Sequence, residues 1–183
     1  MITDYTNLQN RCKIYTDGSS SLKTGICGWS VIVKLGEDEI RRCGWAKGTN
    51  QFAELFAVIY ALRKVPTNVP AVIYSDSEYS IKSLTTYREK WQKNGFKNAT
   101  GATIAYKELI REGHRLLDSF ADLALIHVRG HSGLAGNEEA DKLAKAARYI
   151  GEGRPEAELP VPATGLVMVE GVDPDTGLVH ARG

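Results

Sequence analysis

The sequence has few features of an oxidised, secreted or membrane-bound protein. It contains only three cysteines among 183 residues, at positions 12, 27 and 43, and no Cys-x-x-Cys pair. This usage predicts reduced thiols that pack as small apolar residues, and it argues against a disulfide framework or a zinc site. No stretch approaches the ~20 apolar residues that span a bilayer, and the first ten residues lack the apolar run of a signal peptide. We therefore expect a cytoplasmic protein with no membrane partner.

The chain also lacks an excess of charge of one sign. Its 23 Lys and Arg residues and 22 Asp and Glu residues give a net charge of +1, so the total does not indicate a nucleic-acid partner. The distribution is uneven, because residues 82–115 contain eight basic and three acidic residues, whereas residues 151–183 contain two and six. The basic segment has the charge that binding of a local anionic ligand requires.

The apolar pattern predicts a mixed α/β domain. Strands are predicted at residues 11–16, 26–35, 39–46, 71–74 and 123–128. Helices are predicted from residue 49 or 50 to the residue before Pro66, at 79–87, at 103–118, and after an N-cap at Asn137. Short turns join the first three strands and predict an antiparallel meander, whereas helical crossovers predict parallel pairing of strands one, four and five. Helices are expected to cover both faces of this sheet.

The composition changes near residue 150, which predicts a domain at residues 11–150 and an acidic tail at 151–183. Residues 151–164 contain three of the six prolines and are typical of a linker. Two short apolar runs then flank a turn-forming stretch at 173–177. The tail is therefore either mobile or a small hairpin that docks on the domain.

Four acidic residues fall at the ends of predicted elements. Asp17 ends the first strand, Glu54 lies in the first turn of the first helix, Asp76 ends the fourth strand, and Asp141 lies in the first turns of the last helix. A single acid of this kind usually caps a helix or faces solvent. Four of them at the carboxyl edge of one sheet would repel one another unless cations bind. Carboxylate oxygens suit Mg²⁺ or Mn²⁺, and two such ions about 3.5–4 Å apart can hold a phosphodiester, activate water and stabilise the leaving oxygen.

The segments around these acids resemble the four signature blocks of type 1 ribonuclease H, the ribonuclease HI family. The blocks are YTDGS at 15–19, TNQFAEL at 49–55, YSDS at 74–77 and VRGHSGLAGNEEAD at 128–141. The resemblance covers roughly residues 11–150 and implies the ribonuclease H fold, with sheet order 3-2-1-4-5. It also implies endonucleolytic hydrolysis of the RNA strand of RNA–DNA hybrids, which leaves 5′-phosphate and 3′-hydroxyl ends.

The same resemblance implies roles for particular side chains. Asp17, Glu54, Asp76 and Asp141 would bind two Mg²⁺ ions, for which Mn²⁺ is a possible substitute. His131 falls where the family keeps a histidine on a mobile loop that assists proton transfer or product release. The glycines on either side of the His131–Ser132 pair fit a loop that moves.

Contacts with the hybrid are expected in two places. Thr49 matches a position that contacts a DNA phosphate, and Asn50 and Gln51 match positions in the minor groove, although Thr49 or Asn50 would serve equally as a helix N-cap. The second place resembles the basic protrusion of cellular ribonucleases H, and its contacts would come from Trp91, Lys93, Phe96 and Lys97. A solvated helix face with its aromatic side chains in the core is the alternative interpretation.

Two departures from the family pattern and two alternative functions remain. Residues 19–21 are serines where bacterial members commonly have a Gly-Asn-Pro-Gly run, and Glu78 stands where many members carry an amide. The first alternative is another nuclease of the same fold, such as a junction resolvase or an integrase. The second is a hybrid-binding module without cleavage. In each case we expect a monomer.

Overall fold

The computed structural model describes residues 11–130 and 133–169, which contain a five-stranded mixed sheet in the order β3-β2-β1-β4-β5. The strands are β1 Cys12–Ser20, β2 Ile26–Leu35, β3 Asp38–Lys47, β4 Ala71–Ser75 and β5 Leu123–His127. β1, β2 and β3 pair antiparallel, whereas β4 pairs parallel with both β1 and β5. The predicted fold class and sheet order are therefore confirmed.

Helices cover both faces of the sheet. They are α1 Asn50–Lys64, α2 Glu78–Leu84, α3 Arg88–Lys93, α4 Lys107–Ser119 and α5 Ala135–Gly151. α1 packs on one face, with α2 and α4 beside it, and the larger core lies between α1 and the sheet. α5 lies on the other face against β1, β2 and β3, where its alanines and Leu143 pack on Tyr15, Ile32 and Cys43. This arrangement carries α1 and α5 to opposite sides of the end of β1.

The first strand is longer than the sequence predicts. β1 continues past Asp17 to Ser20 because β2 supplies partners along its whole length, from Lys34 opposite Lys13 to Cys27 opposite Ser20. The prediction that the strand ends at Asp17 is therefore wrong, and the turn occupies only residues 21–25. Asp17 is paired with Ser30 of β2, which fixes its backbone, whereas the pairing of β1 with β4 ends one residue earlier at Thr16.

Two helices begin at different residues from those predicted. α5 starts at Ala135 with Leu134 at its N-cap, so Asn137 lies inside the first turn and does not cap the helix. α4 starts at Lys107 rather than at residue 103, because Thr103 forms a bridge with Lys97 and Tyr106 takes a left-handed conformation with φ of 56°. The basic segment between the helices predicted at 79–87 and 103–118 also contains α3, although this helix has only six residues.

The residues after α5 return to the sheet as far as the structure describes them. Two 3₁₀ turns, Glu156–Glu158 and Ala163–Gly165, lead to a parallel bridge between Cys43 of β3 and Met168. The Cys43 amide donates to the carbonyl of Val167 at 3.1 Å, and the Val169 amide donates to the Cys43 carbonyl at 2.7 Å. The outer strand of the sheet is thus paired by the tail at this point. The proposed hairpin turn at 173–177 lies outside the described residues.

The three cysteines are free and buried, as the composition predicts. Burial raises the pKa of the Cys27 and Cys43 thiols to about 11, which keeps both in the protonated form that packs as an apolar group. Within the described parts of the chain, no helix is long and apolar enough to cross a bilayer.

Gly28→Ala is expected to lower the free energy of unfolding by about 2 kcal/mol, because overpacking a close contact forces the backbone to move. A Cβ atom at Gly28 of β2 would lie 2.5 Å from the amide nitrogen of Arg148 and would overlap the carbonyl oxygen of Ala144, both in α5. Urea unfolding measures the change. Gly165→Ala is the control, since no atom lies within 4 Å of a Cβ there. Equal stability of the two variants would contradict the close packing of α5 on β2.

Candidate active site

Five acidic side chains, Glu138 and the four acids that the sequence singled out, line one cavity of about 170 Å³ at the carboxyl end of β4, beside Asp17 of β1. The lining residues are Asp17, Gly18, Asn50, Glu54, Asp76, Asn137, Glu138 and Asp141. The parallel register places Thr16 opposite Ser75, so Asp17 and Asp76, the next residue of each segment, emerge side by side. The structure therefore brings together all four of the acids that the sequence singled out.

The first helix approaches the cavity over a glycine. A Cβ atom at Gly18 would lie 2.6 Å from the backbone nitrogen of Glu54, so a larger residue would push α1 away from β1. Glu54 is the fifth residue of α1 and lies in its second turn, not in its first as predicted. Asn50, one turn earlier, donates from Nδ2 to Glu54 Oε1 at 2.5 Å. This contact holds the Glu54 carboxylate at the mouth of the cavity.

The electrostatics of the cavity favour a bound cation. Burial, followed by the charge of Asp76, raises the pKa of Asp17 to about 8, and Asp141 and Glu54 act in the same direction. The Gly18 amide, which donates to Asp17 Oδ1 at 2.7 Å, opposes this shift only in part. Burial also raises the pKa of Glu54, against a hydrogen bond from Ser77. A positive ion in the cavity would relieve both effects.

The donor set fits a hard divalent cation, because it consists of carboxylate and amide oxygens. Asn137 supports this fit, since its Oδ1 atom is buried in the cavity wall and has no hydrogen-bond partner among the residues that the structure describes. No group of three or more His, Cys, Asp or Glu residues in the described ranges is already arranged as a metal site. Protein donors contact two of the acids, because Asn50 donates to Glu54 Oε1 and the Lys145 ammonium lies 2.7 Å from Asp141 Oδ2.

The region that contains this cavity matches a known family: the sequence model of RNase H aligns with residues 9–149. The chain belongs to the RNase H family. A ribonuclease H from Cyanothece sp. is 36% identical over 140 residues, which cover 73% of this chain and 87% of the relative. A ribonuclease H from Chromohalobacter salexigens is 38% identical over 139 residues, with coverages of 75% and 84%. These relatives confirm the predicted family and the prediction of an enzyme of the ribonuclease H class.

Solved structures agree on the fold. The foamy viral protease-reverse transcriptase in complex with dsDNA matches with a TM-score of 0.64 and 25% identity, covering 78% of this chain and 97% of that chain. The same viral protein in complex with an RNA/DNA hybrid matches with a TM-score of 0.66 and 24% identity, covering 78% and 20%. A solved type 1 RNase H matches with a TM-score of 0.64 and 28% identity, covering 80% of this chain and 74% of that chain, so the mixed sheet described above is the RNase H fold.

Several residues of this RNase H site were not found by sequence reasoning. Asn137 and Glu138 line the cavity. α5 begins at Ala135, two residues before the predicted cap, so both residues lie in its first turns. Gly130 lies against the site, where a Cβ atom would be 3.2 Å from Asp76 Oδ2. The signal for all three is their place in the block at 128–141. His131 lies outside the described residues, so its predicted role stays a prediction.

The predicted contacts at the start of α1 lie together on the surface. Thr49 is the N-cap, and its Oγ1 atom accepts from the Phe52 amide at 3.1 Å. The same oxygen is 2.7 Å from the Tyr106 hydroxyl, which sequence reasoning missed because Tyr106 is distant in the chain and unusual in conformation. Asn50 is exposed and Gln51 is half-buried. The cap role and a contact with nucleic acid are compatible for Thr49.

The basic protrusion presents fewer aromatic groups than predicted. Phe96 is only 8% exposed, belongs to the main core, and has its ring 5.8 Å from that of His114. The structure therefore places Phe96 where it cannot pack along a nucleic-acid backbone. Trp91 is half-buried, whereas Lys93 and Lys97 are exposed. The available binding groups of the protrusion are thus mainly its lysines.

Proposed function

We propose that this chain hydrolyses the RNA strand of RNA–DNA hybrids and leaves 5′-phosphate and 3′-hydroxyl ends. The observation that carries the proposal is the single cavity in which Asp17, Glu54, Asp76 and Asp141 meet. Relatives named ribonuclease H align with the region that contains all four acids. A viral protein of the same fold has been solved with an RNA/DNA hybrid, which supports a nucleic-acid duplex as the partner.

The four carboxylates would hold two Mg²⁺ ions, with Mn²⁺ as a substitute. Bound ions of this kind supply positive charge that lowers the pKa of an attacking water and stabilises the leaving oxygen. The protein contributes rigidity, because the acids are fixed on or beside β1, β4, α1 and α5. The burial and crowding of the acids, which raise the pKa of Asp17 to about 8, also make the metal-free cavity unfavourable for four negative charges. His131 would assist proton transfer or product release.

The hybrid would be held on both sides of the cavity. Thr49 would donate its hydroxyl hydrogen to a DNA phosphate while its oxygen accepts from the Tyr106 hydroxyl, and Asn50 and Gln51 would face the minor groove. Lys93 and Lys97 would contact DNA phosphates farther along the duplex, since contacts of this kind position a duplex without reading its bases. We propose that residues 11–150 carry this function in a cytoplasmic monomer and that the tail supports the fold.

Two other functions use the same fold and need separate tests. A resolvase or integrase would also require clustered acids, but it would cut DNA. A hybrid-binding module without cleavage would have no need of a buried Asp17 whose pKa is raised to about 8 by burial and by neighbouring acids. The electrostatic cost of that cluster favours the catalytic function over the binding module.

A substrate panel tests the proposal. Labelled RNA–DNA hybrid, duplex RNA, single-stranded RNA, duplex DNA and a branched DNA junction are each incubated with Mg²⁺ and with EDTA. We expect cleavage of the hybrid alone, in Mg²⁺ alone, with 5′-phosphate on the RNA products. Cleavage of the junction would establish the first alternative, and hybrid binding without cleavage would establish the second.

A further inference from the structure

The candidate ligand Asp141 already has a cation of the protein beside it. Lys145 follows one turn later on α5, and its Nζ atom lies 2.7 Å from Asp141 Oδ2. The two side chains are 40% and 26% exposed, so the contact lies at the rim of the cavity and not in the core. Lys145 does not line the cavity itself. Its contact with the site is therefore through the carboxylate of Asp141.

We propose that Lys145 is a positioning residue that occupies Asp141 in the metal-free protein and thereby sets the cation concentration at which the cavity fills. The inference rests on the proposed metal site. An ammonium on Oδ2 takes up one of the two oxygens through which Asp141 binds a metal. A divalent ion must displace this ammonium or share the carboxylate with it, and the two positive charges repel each other.

Two opposite effects of Lys145 have to be compared. The lysine orients Asp141, and its loss would let this carboxylate move and so weaken metal binding. An exposed pair at this helical spacing orients its members only weakly, however. Repulsion between the ammonium and a divalent ion on one carboxylate acts over a few ångströms at the edge of a poorly solvated cavity. We therefore expect removal of the charge to strengthen metal binding.

Lys142 offers a matched control on the same helix. It is adjacent to Asp141 in sequence and exposed, and it forms no salt bridge within the described residues. Lys142→Gln changes the net charge by the same amount as Lys145→Gln without removing an ion pair. Lys145→Arg keeps both the charge and a donor in reach of Asp141, and it tests whether the ion pair alone is responsible.

Isothermal titration with Mn²⁺ measures the affinity directly. Lys145→Gln is expected to bind Mn²⁺ about three- to tenfold more tightly than the unmodified protein, as partial screening of a unit charge implies. Lys142→Gln and Lys145→Arg should stay within about twofold of the unmodified protein, because the first removes an exposed charge that forms no ion pair with Asp141 and the second retains the charge. The Mg²⁺ concentration for half-maximal hybrid cleavage should fall by the same factor in Lys145→Gln, and circular dichroism verifies the fold of each variant.

The outcomes separate this inference from the proposed function. Equal or weaker Mn²⁺ affinity in Lys145→Gln overturns the role of Lys145 while hybrid cleavage by the unmodified protein still stands. An equal gain in Lys142→Gln also overturns it, because net charge would then explain the effect. Tighter binding in Lys145→Gln without hybrid cleavage by the unmodified protein upholds Lys145 and rejects the function. Absence of Mn²⁺ binding by the unmodified protein overturns both.

Discussion

Asp17→Asn is expected to reduce hybrid cleavage by about 10³-fold, since loss of several kcal/mol of metal-derived stabilisation corresponds to a factor of this size. Asp17 is the most buried of the four acids, and the other three all act on its pKa. Asparagine keeps one oxygen and the shape of the side chain, but it removes the negative charge that holds a divalent ion. Single-turnover cleavage of a labelled hybrid in saturating Mg²⁺ measures the effect.

The control for this experiment is Asp118→Asn, the same chemical change on α4. Asp118 forms an ion pair with Arg88 at 2.6 Å and does not line the cavity. We expect cleavage by Asp118→Asn within about twofold of the unmodified rate, as for surface substitutions away from a site. A rate for Asp17→Asn within tenfold of the unmodified rate would show that Asp17 is not a metal ligand.

In EDTA, the protein is expected to lose about 2 kcal/mol of stability between pH 6.5 and pH 8.5, the amount that follows from one shifted carboxyl group. The pKa of Asp17 is about 8 in the folded chain and has an ordinary value of 3.8. Between these pH values the folded chain keeps a proton on Asp17 that the unfolded chain has released. The stabilisation that this proton provides is complete below pH 3.8 and is lost as the pH rises past 8. The lowered pKa of buried His114 affects stability only at lower pH, below about 6.5.

Urea unfolding in EDTA at pH 6.5, 7.5 and 8.5 measures this dependence. Asp17→Asn should be flat across the range and more stable than the unmodified protein at pH 8.5, whereas Asp118→Asn should keep the unmodified slope. Mg²⁺ should remove the loss at pH 8.5 in the unmodified protein and have a smaller effect on Asp17→Asn. Stability that is constant or rises with pH in EDTA would contradict the burial of a protonated Asp17.

The sequence predicts that the four acids meet because strongly patterned elements carry them, although Asp17 lies within its strand and Glu54 in the second turn of its helix. The continuous apolar strand at 71–74 and the meander before it locate Asp76 and Asp17, and the sheet order then makes them neighbours. Glu54 and Asp141 follow from helices that the apolar pattern predicts, although α1 is buried on most of its surface, including every residue from 55 to 62. A local pattern was sufficient to predict this meeting of the acids, because the position of each acid depends mainly on the strand or helix that carries it.

The errors of prediction occur where distant contacts decide the local structure. β1 extends to Ser20 because β2 pairs with it, which no pattern within β1 indicates. Phe96 has a positive φ of 61° and turns into the core toward His114, so its apparent place in a basic surface segment was misleading. Tyr106 reaches Thr49 across 57 positions of the chain. Each of these depends on packing between segments, which a single sequence does not display.

The bridge at Met168 has a consequence for how molecules of this protein meet. Outer strands with free amide and carbonyl groups are templates on which a second molecule can add its own strand. The amide and carbonyl groups of Cys43 are already hydrogen-bonded to Val167 and Val169 of the same chain, near the end of α5. Proteolytic removal of the stretch after α5 is therefore expected to expose the Cys43 amide and carbonyl to pairing with a strand of a second molecule.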